Sequence, residues 1–176
     1  MKLYLIGYRG TGKTTAARML GERWNVPAVD LDEQLESTAG MTVAEIFAAE
    51  GEPAFRDRET ATLSDIAHSP SQVVSLGGGT VMRPQNQQLV RDSGIAVWLD
   101  ASVDTLIARV TADPISNSRR PRLTQHATLR EEIEALLQQR NPVYQDLSAH
   151  RIVTDGRTLD EVVGAIDQWW QSRGAP

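Results

Sequence analysis

A chain of 176 residues without cysteine is long enough to bury one sizeable core unaided, and it excludes disulfides and thiolate metal sites. With 40% hydrophobic and 23% charged residues of both signs it is not a disordered polymer, and a formal net charge of −5 argues against nucleic acid or an acidic membrane surface as partner. The first apolar run, LYLIG, is too short for a signal-peptide core and no later run reaches membrane-spanning length. A single domain over 1–176 is expected, a monomer, and the lack of cysteine suits a cytoplasmic location.

In chain order, short runs rich in Val, Ile and Leu alternate with longer stretches of helical period. KLYLIG (2–7) is the first predicted strand, followed by a helix over 12–24. VPAVDLD (26–32) is the second, followed by a long helical region over 33–68. QVVSLG (72–77) leads to a helix over 85–92, and IAVWLD (95–100) to one over 102–112. A helix over 126–148, the strand HRIVTD (150–155) and a helix over 158–172 complete the series. Runs this continuously apolar read as strands buried on both faces. The alternation predicts an α/β fold, a three-layer α/β/α arrangement on a five-stranded parallel sheet with right-handed crossovers, and places ligands at the carboxyl ends of the strands. The segment TADPISNSRRPRLTQ (111–125) breaks the rhythm with two prolines and three arginines; it reads as an exposed loop and a candidate mobile lid over about 112–124. The two tryptophans of QWWQSRGAP are expected to pack on their own domain.

GYRGTGKTT (7–15) fits G-x-x-x-x-G-K-[ST] and stands where that motif works, directly after a strand and before a helix. Glycines let the backbone curl until its amides face an anion, and the helix N-terminus adds a favourable dipole. Gly10, Thr11, Gly12, Lys13, Thr14 and Thr15 are therefore the candidate nucleoside-triphosphate cradle, with Lys13 on the outer phosphates and the Thr14 hydroxyl as a magnesium ligand. The D-x-x-G and N-K-x-D segments of a GTPase switch are absent, and the chain is short for a motor or AAA-type ATPase. A small kinase for a small acceptor remains.

VDLDEQ (29–34) places Asp30 and Asp32 two apart at the end of the second strand, so both carboxylates would face the same crevice. One is suited to a magnesium shell, the other to an acceptor hydroxyl. In EPAFRDRETATL (52–63), Arg56 and Glu59 form an i,i+3 pair: either a surface ion pair, or a carboxylate orienting a guanidinium that clamps a substrate carboxylate. Gly77, Gly78 and Gly79 lack the lysine and hydroxyl of a second phosphate loop, and glycine there lets backbone approach a small ring.

GYRGTGKTT, the D-x-D of VDLDE, FRDRE, LGGG, RRP and RNPVY (140–144), in this order and at about these separations, resemble the shikimate kinases, from Lys2 to about Arg157. The resemblance implies a P-loop NTPase fold of the nucleoside-monophosphate-kinase type and Mg2+-dependent transfer of the ATP γ-phosphate to the 3-hydroxyl of shikimate, a step of chorismate and aromatic amino acid biosynthesis. It implies that ATP and shikimate are the partners, with Lys13, Asp32 and Arg120 catalytic, and Thr14 and Asp30 serving the metal. Asp32 would be the general base. Arg56 and Arg140 would grip shikimate, helped by Gly77, Gly78 and Gly79, with the acceptor-binding region at about 32–62. Arg120 and Arg157 would reach ATP.

The chain departs from that pattern in two places. Arg122 stands where many members have the first of two leucines, and Asp113 where many carry an arginine against adenine, a role for which Arg109 is the substitute candidate. His68, His126 and His150 lie in none of these motifs and are expected to pack or face solvent. The alternatives are a kinase for another polar metabolite such as gluconate, or a nucleotide-binding module without catalysis.

Overall fold

The computed structural model describes residues 1–70, 73–113 and 128–174. In chain order the elements are β1 (Lys2–Ile6), α1 (Lys13–Trp24), β2 (Ala28–Asp30), α2 (Leu31–Ala39), α3 (Val43–His68), β3 (Val73–Ser75), a 3-10 turn (Thr80–Met82), α4 (Pro84–Ser93), β4 (Gly94–Asp100), α5 (Val103–Ala112), α6 (Leu129–Leu147), β5 (Ser148–Val153) and α7 (Leu159–Ser172). The five strands form one parallel sheet in the order β2-β3-β1-β4-β5, with Leu5 paired to Ser75 on one side and to Val97 on the other. The α/β expectation holds.

Every residue of β1 and of β3 is buried, as continuous apolar runs require, whereas the edge strands β2 and β5 are only partly covered. Side-chain alternation along β1 splits the interior into two layers. Leu3 and Leu5 pack with Val97, Leu99 and Ile152 against Ala16 and Leu20 of α1 and Val163 and Ile166 of α7. Tyr4 and Ile6 face the opposite side, where Leu63 and Ile66 of α3, Val90 of α4 and Tyr144 and Leu147 of α6 close the second layer. Trp170 stacks on Trp24 at 5.7 Å and Trp169 on His150 at 4.9 Å, so the tryptophan pair does pack on its own domain. His68 closes α3 through a contact to the Ser64 carbonyl.

Several element boundaries move: β3 is Val73–Ser75 where 72–77 was expected, and β5 is Ser148–Val153 where 150–155 was expected. The second strand stops at Asp30 instead of running to residue 32, because the Asp30 side chain caps α2, accepting from the backbone N–H of Asp32 at 3.0 Å and of Glu33 at 3.3 Å. The helical region expected over 33–68 is two helices: Gly40, with φ 64°, ends α2, and α3 is itself broken at Gly51, two residues before Pro53. Arg140 lies well inside α6, which runs on through Pro142 to Leu147. Most of the lid expected over 112–124, with Arg119, Arg120 and Arg122, lies outside the described residues, as does His126. Among the described residues no helix is long and apolar enough to cross a membrane.

Candidate active site

The neighbouring strands β1 and β3 release their loops side by side, and those loops are the two glycine-rich segments. In the first, Gly7 has φ 136°, and a Cβ there would stand 2.2 Å from the Leu99 carbonyl oxygen, so only glycine fits. The Thr11 hydroxyl donates to the Tyr8 carbonyl at 2.8 Å and Lys13 Nζ to the same oxygen at 2.7 Å. From α5, Arg109 donates to the Gly10 carbonyl at 3.3 Å and to the Thr154 hydroxyl and carbonyl at 2.9 Å. Arg109 thus ties the loop to the turn after β5.

Helices α2, α3, α5, α6 and α7 are all capped by a side chain, Asp30, Thr42, Ser102, Thr128 and Thr158 respectively. Helices α1 and α4 are not; α4 starts at Pro84, which has no N–H to satisfy, whereas the N-cap of α1 is Gly12 and its first turn carries no acidic residue. A helix start without a side-chain cap suits an external anion. The cavity at the start of α1 is lined by Gly10, Gly12, Lys13, Thr14, Thr15 and Asp30. Thr14 Oγ1 donates to Asp30 Oδ2 at 2.7 Å, with Ser75 Oγ at 3.5 Å from the same hydroxyl. This all-oxygen set suits a hard divalent cation that keeps most of its shell from phosphate and water.

A second cavity opens against the first. Arg56, Glu59, Gly77, Gly78, Gly79 and Arg140 line it, with Phe47 and Phe55 as its apolar wall. Glu59 is only 1% exposed and accepts from the Thr80 hydroxyl at 2.6 Å and from Arg56 Nη1 at 2.9 Å. The carboxylate of the pair is therefore buried and its guanidinium half-buried, and Glu52 holds the other side of that guanidinium at 3.2 Å. Burial pushes the Glu59 carboxyl up, while Arg56 and Thr80 pull it back.

The three glycines are a floor under this clamp. A Cβ on Gly79 would lie 2.9 Å from both Nη atoms of Arg56, one on Gly78 3.2 Å from Arg140 Nη1, and one on Gly77 3.0 Å from Asp32 Oδ1. None of the three has positive φ, so close approach and not backbone conformation calls for glycine. Tyr144 of α6 donates to the Gly78 carbonyl, and burial pushes its hydroxyl up to about 12, so it stays a donor at any working pH. The last residue of RNPVY thus fastens the floor on which Arg140, its first residue, rests.

Asp32 lines both cavities, from the first turn of α2 rather than from strand β2. The expectation that it and Asp30 share a crevice survives, but through helix capping and not strand alternation. The sequence reading missed Arg9, which also lines both cavities. Thr11 is buried beneath the loop, and Arg157 is exposed in the turn after β5, where it lines neither cavity. Asp113 closes α5 at the phosphate-side cavity.

The model of the shikimate kinase family matches residues 9–171. The chain is 44% identical over 164 residues to a shikimate kinase of Rhodopirellula baltica, covering 93% of this chain and 87% of that one. To a shikimate kinase of Symbiobacterium thermophilum it is 41% identical, covering 99% and 98%. Among solved structures it superposes on a shikimate kinase from Acinetobacter baumannii in complex with shikimate, with a TM-score of 0.90 and 30% identity, covering 98% of this chain and 93% of that one.

Proposed function

The chain belongs to the shikimate kinase family and transfers the γ-phosphate of ATP to shikimate; from that premise we propose which of its residues do so. The observation that carries the assignment is the position of Asp32, a carboxylate lining both the clamp cavity and the phosphate cavity. A reacting hydroxyl and a γ-phosphate meet at such a junction.

Arg56 and Arg140 hold the shikimate carboxylate and ring hydroxyls over Gly77, Gly78 and Gly79. Glu59 fixes the Arg56 fork. Asp32 orients the 3-hydroxyl and takes its proton as the new oxygen–phosphorus bond forms. The bond to the β-phosphate oxygen breaks, its electron pair leaving with ADP. The backbone N–H groups of Gly10, Thr11, Gly12, Thr14 and Thr15 serve the phosphates, and Lys13 follows the transferring charge. Mg2+ would be held by Thr14 and, through water, by Asp30; when bound it neutralises phosphate charge and fixes phosphate geometry. Arg120, by its place in RRP, and Arg157, by its place after β5, are assigned to ATP. The chain works as one cytoplasmic domain and as a monomer, with 32–62 on the acceptor side and a lid at about 112–124.

The test is coupled ADP release. Lys13→Ala and Asp32→Asn are expected to lower shikimate-dependent turnover by about 100-fold or more, while Arg140→Ala mainly raises KM for shikimate. Full activity of Asp32→Asn would remove the base assignment.

A further inference from the structure

We propose that Arg9 is a third arginine of the reaction centre, binding the phosphoryl group as it passes from nucleotide to acceptor. The inference rests on the shikimate kinase reading above and extends it to a residue that the motifs leave unassigned. Among the described residues, the two cavities share Arg9, Asp32 and Val43: one cation, one anion and one apolar wall. Arg56 and Arg140 line only the acceptor side and Lys13 only the phosphate side, so Arg9 is the described cation that borders both.

Its guanidinium is positioned rather than free to sweep. Nη2 donates to Glu132 Oε1 at 3.3 Å, and Glu132, on the first turn of α6, is only 5% exposed. The guanidinium also lies against the Tyr8 ring, 5.9 Å from its centroid. Nε is buried and finds no acceptor among the described residues. A buried N–H of a charged group is costly to leave unpaired, so the site suits an oxygen that arrives with the ligands. Glu132 holds one edge of the fork, and a phosphoryl oxygen is the complementary partner for another.

The chemistry asks for a cation at this junction. As the acceptor oxygen bonds to phosphorus and the bond to ADP breaks, charge is shared over the equatorial phosphoryl oxygens, midway between the two cavities. The ester product keeps that charge on the acceptor side. Arg9 therefore favours the transition state and the phosphorylated acceptor over unphosphorylated shikimate, which is what makes such a contact catalytic instead of merely adhesive.

Arg9→Met keeps length and removes the charge. In the full chain it is expected to lower kcat about 100-fold with KM for ATP little changed. By calorimetry, affinity for shikimate 3-phosphate should fall about tenfold more than affinity for shikimate, and Arg9→Lys should recover part of both losses. Equal weakening of the two ligands, or wild-type kcat and product affinity, would overturn the proposal. If Arg9→Met does not fold, as judged by thermal melting, Arg9→Lys and Glu132→Gln decide. Each should weaken product more than substrate, and product affinity unchanged in both would sink the idea. Where Arg9→Met folds, adding Glu132→Gln to it should cost nothing further, since Glu132 acts through Arg9; a further full loss of kcat in the double variant would overturn that link. A wild-type chain that releases no ADP with shikimate would instead take away the premise, and this inference with it.

Discussion

The contact between Gly79 and Arg56 can be read in substitutions. A methyl group on Gly79 would push on the far end of a flexible side chain, and φ of −98° there is open to any residue. Gly79→Ala is therefore expected to leave the melting temperature nearly unchanged while raising KM for shikimate about tenfold by displacing the guanidinium. Gly78 differs, because its Cβ would also stand 3.3 Å from the Gly7 carbonyl, backbone of the phosphate loop that cannot swing away. Gly78→Ala should raise KM for both substrates, where a purely acceptor-side role would spare ATP; steady-state kinetics with each substrate varied separates the two. Lys13, Asp32, Arg56 and Arg140, which line the two cavities, stood out in the sequence, Lys13 through the phosphate-loop pattern and the others through the family resemblance. Arg9 did not, since it occupies a variable position of the phosphate-loop pattern. The burial of Glu59 was also hidden: an i,i+3 ion pair looks the same on paper whether Thr80 and the glycine floor cover it or water does.

Helix caps separate the elements that finish themselves from α1 and α4, which carry no side-chain cap. At α7, the Thr158 hydroxyl accepts from Glu161 N at 3.3 Å, and the Glu161 carboxylate accepts from Thr158 N at 2.7 Å. Thr158→Ala should cost about 1 kcal/mol of stability, a fall of roughly 2–4 °C in Tm for a chain of this size. Because α7 lies on the layer away from the acceptor clamp, kcat and KM for shikimate should hold. A drop in kcat would show that α7 helps to set the site. The sequence revealed the elements better than their ends. β2 was read two residues too far at each end because VPAVDLD is nearly continuous in strand-like residues, and the side-chain cap that turns the chain at Asp30 becomes evident only with Asp32 and Glu33 already in helical geometry. The glycines at 40 and 51 were visible, but their positive φ was not.

For the whole molecule, α/β alternation fixed a parallel sheet, while the order β2-β3-β1-β4-β5 depends on which helices cover which face, a long-range matter that local periodicity does not carry. Folding also sets a pH dependence. The native state holds the Glu59 proton more tightly than the unfolded chain does, where the carboxyl keeps its ordinary value of 4.5. This contribution favours the native state below that value and is lost as pH rises through the raised native one. The stability of wild type relative to Glu59→Gln should therefore decline as pH climbs from about 4 toward neutrality, followed by thermal melts at each pH; a difference that grows with pH would contradict the assignment.

The sheet is also a partition. The nucleotide loop leads into α1, packed on one face, whereas Arg56 and Arg140 come from α3 and α6, packed on the other. Changes that repack the second layer can retune which acceptor is held without disturbing how ATP is held. The architecture thus lets a lineage explore new acceptors while inheriting its phosphate donor intact.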